Sequence, residues 1–140
     1  MLRTLSSLLL TIIVTSSALA AKTDTTPPSL LSAVVSGDGS VLTLNYEEEN
    51  LLDPSSAAPA NNFIISTTDS GAITVTAVSV NVDNTMTLTL SDPVSIGDTV
   101  TIGSSSSPVS DDSANAAPVL SAEPVITSAV NYSSSSWVSI

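Results

Sequence analysis

The chain has no cysteine and no histidine among its 140 residues, and only two basic side chains, Arg3 and Lys22. Each absence removes a class of function. Without a thiol or an imidazole there is no Ser-His-Asp or Cys-His nucleophile and no imidazole or thiolate metal ligand. A chain with thirteen acids against two bases, at a formal charge of −11, cannot neutralise phosphates, so nucleic acid is excluded as a partner. Anionic membrane surfaces and phosphorylated substrates are disfavoured for the same reason. Aromatic residues make up only 3% of the chain, so the stacking platforms of a sugar-cleaving cleft are scarce. What chemistry remains is oxygen chemistry: a carboxylate pair, as in glycoside hydrolysis, or oxygen-only coordination of a hard cation.

One long apolar run is present, at the start. Arg3 precedes Leu8-Leu-Leu-Thr-Ile-Ile-Val14, and Ala18-Leu19-Ala20 supplies small residues in a cleavage-site pattern. The run is too short to span a bilayer, and the arrangement is that of a secretory signal peptide. Residues 1–21 are therefore expected to be cleaved, with no membrane insertion afterwards. The lack of disulfides suits a bacterial exported domain large enough to fold on its own core. The expected location is secreted or at the cell surface.

Beyond this run the chain alternates in the manner of strands. Leu42, Leu44 and Tyr46 alternate with Thr43, Asn45 and Glu47, the period of a half-buried strand. This strand ends in Glu47-Glu48-Glu49. Pattern and turn residues mark seven strands, at 30–36, 41–46, 63–67, 73–82, 86–90, 99–102 and 124–130. A parity slip between Ala77 and Val78 predicts a bulge or a change of sheet in the fourth strand. Residues 47–62 and 103–121 read as polar loops. Turn signals recur about every ten residues, which is the sandwich pattern. The expected fold is all-β, a seven-stranded antiparallel Ig-like β-sandwich over 30–131, with a linker at 22–29 and a Ser-rich tail at 132–140. The expected core is Leu42, Leu44, Tyr46, Phe63, Val78, Val80, Met86, Leu88, Leu90, Val100 and Ile102.

Strands that alternate in direction deliver their loops alternately to two ends. One end receives Asp24, Glu47, Glu48, Glu49, Asp53, Asp83, Asp111 and Asp112. The other receives Asp38, Asp69, Asp92 and Asp98. Eight carboxylates at one end repel unless a cation bridges them. Loop-borne oxygen ligands suit Ca²⁺, which makes Asp24, Glu47, Glu48, Glu49, Asp53, Asp111 and Asp112 the candidate metal cluster. Solvated, separated carboxylates are the competing expectation.

Three segments resemble a known family in order and spacing. They are Asp24-Thr-Thr-Pro-Pro-Ser-Leu30 leading into Ser32-Ala33-x-Val35-x-Gly37; Leu42-Thr-Leu-x-Tyr46-x-Glu48 with Leu52-Asp53; and Val94-x-x-Gly97-Asp98-x-Val100-x-Ile102. The opening Pro59-Ala60-x-x-Phe63 agrees. Together they resemble the repeat of the cyanobacterial swimming-motility protein (SwmB type), a bacterial immunoglobulin-like repeat. The resemblance covers about Asp24 to Asn131. It implies a secreted or surface sandwich acting as a spacer or adhesion module, with no catalytic residues. The family's Asp-x-x-Gly-Asn turn appears here as Asp111-Asp-Ser-Ala-Asn115, with Ala114 in the glycine place. If that position needs positive φ, alanine is costly there.

The reading from sequence is therefore a non-enzymatic exported module, structural or adhesive, whose partners are other surface proteins or glycans. A carbohydrate-binding module using Tyr46 and the acidic loop after it is the alternative. A carboxylate-pair glycoside hydrolase is the weaker one.

Overall fold

The computed structural model describes residues 23–127. The expected signal peptide, the Ser-rich tail and the last residues of the expected seventh strand lie outside this range. Seven strands form: β1 (Ser29–Val35), β2 (Val41–Glu47), β3 (Phe63–Thr67), β4 (Val75–Val80), β5 (Thr85–Leu90), β6 (Val100–Ser104) and β7 (Glu123–Ile126). They join in one hydrogen-bonded order, β3-β6-β7-β1-β2-β5-β4. The sheet curls until its two end strands, β3 and β4, approach each other, giving a nearly closed barrel.

The sheet is mixed, which corrects the expectation of a purely antiparallel one. β7 pairs antiparallel with β6 but parallel with β1, through Ala33↔Val125 and Val34↔Ile126. The cause is simple. Successive strands do alternate in direction, so the first and seventh run the same way. Once β7 slots between β6 and β1, the β1–β7 ladder has to be parallel.

Period-two sequence builds the core. Leu42 faces Leu88 and Leu44 faces Met86 across the β2–β5 ladder, and all four are fully buried. Tyr46, Phe63, Leu90, Val100 and Ile102 are also buried, as expected. Val78 and Val80 are only partly buried, because β4 is an edge strand covered on one side alone. β4 is also shorter than expected, and its irregularity falls between Val75 and Ala77 with no change of sheet. β6 runs two residues further than the sequence indicated, to Ser104.

Neither long loop is a loose connection. The first contains two single-turn 3-10 helices, Pro54–Ser56 and Ala60–Asn62, each too short to carry a periodic signal. The second, between β6 and β7, buries Pro108, Val109, Ala117 and Leu120. Its backbone docks on the first loop through Ala58 N–H to Pro108 O at 2.9 Å.

At the β1–β2 turn Gly39 has φ +78, and a Cβ there would sit 2.6 Å from the Val94 carbonyl oxygen. Only glycine permits that approach. It brings the β1–β2 turn against the β5–β6 connection, where Val94 N–H donates to Gly39 O at 3.0 Å.

Candidate functional site

At one end of the barrel the segment before β1, the β2–β3 loop, the β4–β5 turn and the β6–β7 loop meet. Three carboxylates converge there. Oxygens of Asp24, Glu48 and Asp111 all lie within 4.8 Å of one another. Asp111 is buried, at 1% exposure, while Asp24 and Glu48 are half-buried.

The convergence is built by backbone pairing. Leu52 and Asp111 form an isolated antiparallel bridge. Asp53 N–H donates to Ser110 O at 2.9 Å, and Asp112 N–H donates to Leu51 O at 3.0 Å. These bonds stitch the two long loops together and bring Asp111 to Glu48.

Three asparagine amides then lock the cluster. Asn84 donates to the Glu48 carbonyl at 3.1 Å and the Asn50 carbonyl at 2.9 Å, and it accepts from Leu52 N–H at 3.1 Å. Asn50 Nδ2 donates to Asp24 Oδ2 at 2.7 Å, and Thr26 N–H donates to Asp24 Oδ1 at 2.9 Å. Asn115 Nδ2 donates to Asp111 Oδ2 at 2.8 Å and to the Asp24 carbonyl at 3.1 Å. Asp111 Oδ1 also accepts the N–H groups of Ser113 and Asn115, at 2.9 and 2.8 Å. Ala114, between those two donors, has φ +66. The position does require the left-handed region, and alanine occupies it under strain.

Every carboxylate oxygen of Asp24 and Asp111 thus already accepts an N–H. The Thr26 backbone N–H, with help from Asn50, holds the Asp24 carboxyl below the usual carboxylate range. The trio is held by the protein's own donors, and its oxygens keep further lone pairs for a hard cation. Three protein oxygens are about half of the 6–8 ligands Ca²⁺ takes. Backbone carbonyls or water would have to complete the shell.

The other four expected ligands stand apart from the trio. Glu47 and Glu49 are exposed, because alternation along the chain turns them away from Glu48. Asp53 caps the first 3-10 turn, accepting from Ser55 N–H at 2.9 Å. Asp112 is exposed and borders a hollow with Leu51, Pro54 and Val82.

Tyr46, a core residue in the leading reading and a glycan hydrogen-bonding group only in the carbohydrate-binding alternative, is inside the barrel at 6% exposure. Its hydroxyl is buried with no hydrogen-bond partner among the described residues, and burial pushes the phenol pKa up. Asn50 and Asn84 carry no expectation from sequence, and Asn115 enters there only as part of the family turn. Asn84 left a faint signal, since Asp83-Asn84 is a turn pair and its φ of +59 is one asparagine tolerates.

The opposite end is organised around Asp98, at 3% exposure. Its carboxylate accepts from the Ser70 hydroxyl, from Asp69 N–H at 2.7 Å, from the Thr68 hydroxyl at 3.1 Å and from Ser95 N–H at 3.3 Å. Ser70 first, then these other donors, hold the carboxyl below its ordinary value.

Fold and site together define an acidic all-β module whose two ends are tied by carboxylate and amide hydrogen bonds. A family model described as "Putative flagellar system-associated repeat" matches residues 23–106, and the chain belongs to this SWM repeat family. The match stops inside the β6–β7 loop. No curated relative matches the chain in sequence. Among solved structures, the crystal structure of the S-layer protein rSbsC is similar at 20% identity and a TM-score of 0.58. The likeness covers 72% of this chain and 14% of the S-layer chain, and it shows the fold alone.

Proposed function

We propose that this chain is a non-enzymatic, exported structural module of a bacterial cell surface. The observation that carries the reading is how the polar groups at the trio end are used. Asp24, Asp111, Asn50, Asn84 and Asn115 hold loops to one another rather than lining a cleft. Membership of a repeat family named for the flagellar system, and a fold like part of an S-layer protein, support a place at the surface.

The finer architecture in this proposal is an Ig-like sandwich, supported by seven strands of alternating direction. Adhesion to other surface proteins or glycans is the finer function. With Tyr46 buried, a glycan contact would rest on the acidic loop alone. Calcium enters as a proposal confined to Asp24, Glu48 and Asp111. Fractionation of the producing cell with mass spectrometry tests the central reading. The expected result is a surface or secreted chain lacking residues 1–21. A cytoplasmic chain that retains Met1 overturns it.

A further inference from the structure

The chain enters and leaves this fold at opposite ends. Asp24 ties the segment before β1 to the trio end, where Asn50 Nδ2 donates to its carboxylate and Asn115 Nδ2 to its carbonyl. From there β1 runs to the β1–β2 turn at the other end. β7 is parallel to β1, so it begins at the trio end and finishes at the Asp98 end. There the Thr127 hydroxyl donates to the Asp98 carbonyl at 3.2 Å. Tension applied through the chain before residue 23 and after residue 127 therefore pulls β1 and β7 in opposite directions, each along its own axis.

The two strands that receive this tension are paired to each other, Ala33 with Val125 and Val34 with Ile126. They are also central. β7 is third and β1 fourth in the seven-strand order, so neither is an end strand. Drawing β7 lengthwise must slide it past β6 as well, through Val100↔Val125, Thr101↔Pro124 and Ile102↔Glu123. Drawing β1 lengthwise must slide it past β2, along a ladder from Ser29↔Glu47 to Val35↔Leu42. The bonds of these ladders lie across or aslant the direction of slip. A single backbone bond contributes little, but slip loads all the bonds of a ladder together, whereas peeling breaks them one after another. Ala33, Val35, Val100 and Val125 are buried, so water does not compete for a stretched bond from within the barrel.

We propose that this fold is a tension-carrying link, in which the parallel β1–β7 ladder and its flanking ladders resist stretching between the chain's entry and its exit. The parallel pairing decides this. Had β7 run antiparallel to β1, entry and exit would share one end, and tension would peel the two strands apart bond by bond. This mechanical role goes beyond a place at the cell surface and does not depend on it. A chain found in the wrong compartment and a chain weak under tension are separate failures.

Single-molecule force spectroscopy of the full chain tests this. The chain has no cysteine, so two introduced thiols are its only attachment points. One variant carries Lys22→Cys and Ser133→Cys and is stretched from entry to exit. The other carries Lys22→Cys and Ser121→Cys. Ser121 is exposed and lies just ahead of β7, at the trio end, so this pair pulls from one end and peels β7 from its first residue. Lys22 is common to both variants, so the Asp24 ties are loaded alike. Forced unfolding follows the unfolding barrier rather than the equilibrium stability, so the comparison reads the direction of pull. At least two bonds share the load in slip where one carries it in peeling, so the entry-to-exit variant is expected to unfold at a force at least about twofold higher at the same pulling speed. A smaller ratio, equality or a reversal overturns the proposal. Urea unfolding is expected to give both variants the same midpoint, and a force ratio that follows a difference in midpoint instead of the direction of pull also overturns it.

Discussion

Ala114 carries a cost that the rest of the turn conceals. Its φ of +66 is forced by the Asp111 carboxylate, which gathers the N–H groups on either side of it. The left-handed region costs an L-residue about 1–2 kcal/mol and costs glycine little. Ala114→Gly is therefore expected to stabilise the fold by about 1 kcal/mol in urea unfolding, and a destabilised variant would contradict this account of the turn. Tyr46 is the second residue at odds with its surroundings. Among the described residues its buried hydroxyl has no partner, so it loses its water and gains nothing in return. Tyr46→Phe keeps the ring and removes the orphan oxygen. It is expected to raise stability by about 1 kcal/mol, read by the same unfolding experiment.

Among the strands and turns, the β2–β5 ladder and the connections it supports dominate. Leu88 is fully buried opposite Leu42, so Leu88→Ala is expected to cost about 2–5 kcal/mol. A change below about half a kcal/mol would mean that β5 is not a core strand. The β3–β4 connection and the β5–β6 connection are fastened through Asp98, and the β1–β2 turn through Asp38. The hydroxyl of Ser36, followed by Ser40, draws the Asp38 pKa down to about 2. Both carboxyls titrate lower in the folded chain than the ordinary aspartate value of about 3.9. Between these values the unfolded chain binds more protons, so stability rises with pH there. The contribution is complete above about pH 4 and is lost as pH falls through the folded values. The melting temperature is expected to drop between about pH 4 and pH 2. Asp98→Asn, less stable at neutral pH, should show a smaller drop over that interval.

For the molecule as a whole, the governing fact is a folded unit with acids at both ends and no base among the described residues. The Asp24, Glu48 and Asp111 oxygens make the end nearest the N-terminal segment the proposed place for a divalent cation. With an affinity of about 1 mM, within the range of extracellular modules, about 10 mM CaCl₂ is expected to add about 1.4 kcal/mol at fixed ionic strength. Glu48→Gln should remove most of that gain while leaving the asparagine clasp intact. Asp69→Asn, at the opposite end, should not change it. A melting temperature indifferent to calcium would leave the trio as a hydrogen-bonded clasp alone.

The strands of this whole were legible in the chain alone, because burial on one face of a pleated segment writes a period of two that needs no partner to be read. Leu42, Leu44, Met86, Leu88, Val100 and Ile102 are buried where that period put them. The end to which Asp24, Glu48 and Asp111 are delivered was legible too, since alternation in direction follows from strand count. Neighbour relations were not. Which strands pair depends on packing across the whole barrel, so the parallel β1–β7 ladder emerged only in three dimensions. Val109, Ala117 and Leu120 lie in a loop with no strand period, and only the closing of that loop over the barrel end buries them. Of seven candidate ligands three converge, because the bridge between Leu52 and Asp111 fixes where each loop's side chains point. That bridge joins residues 59 positions apart in sequence, and no local pattern encodes a contact at such a separation.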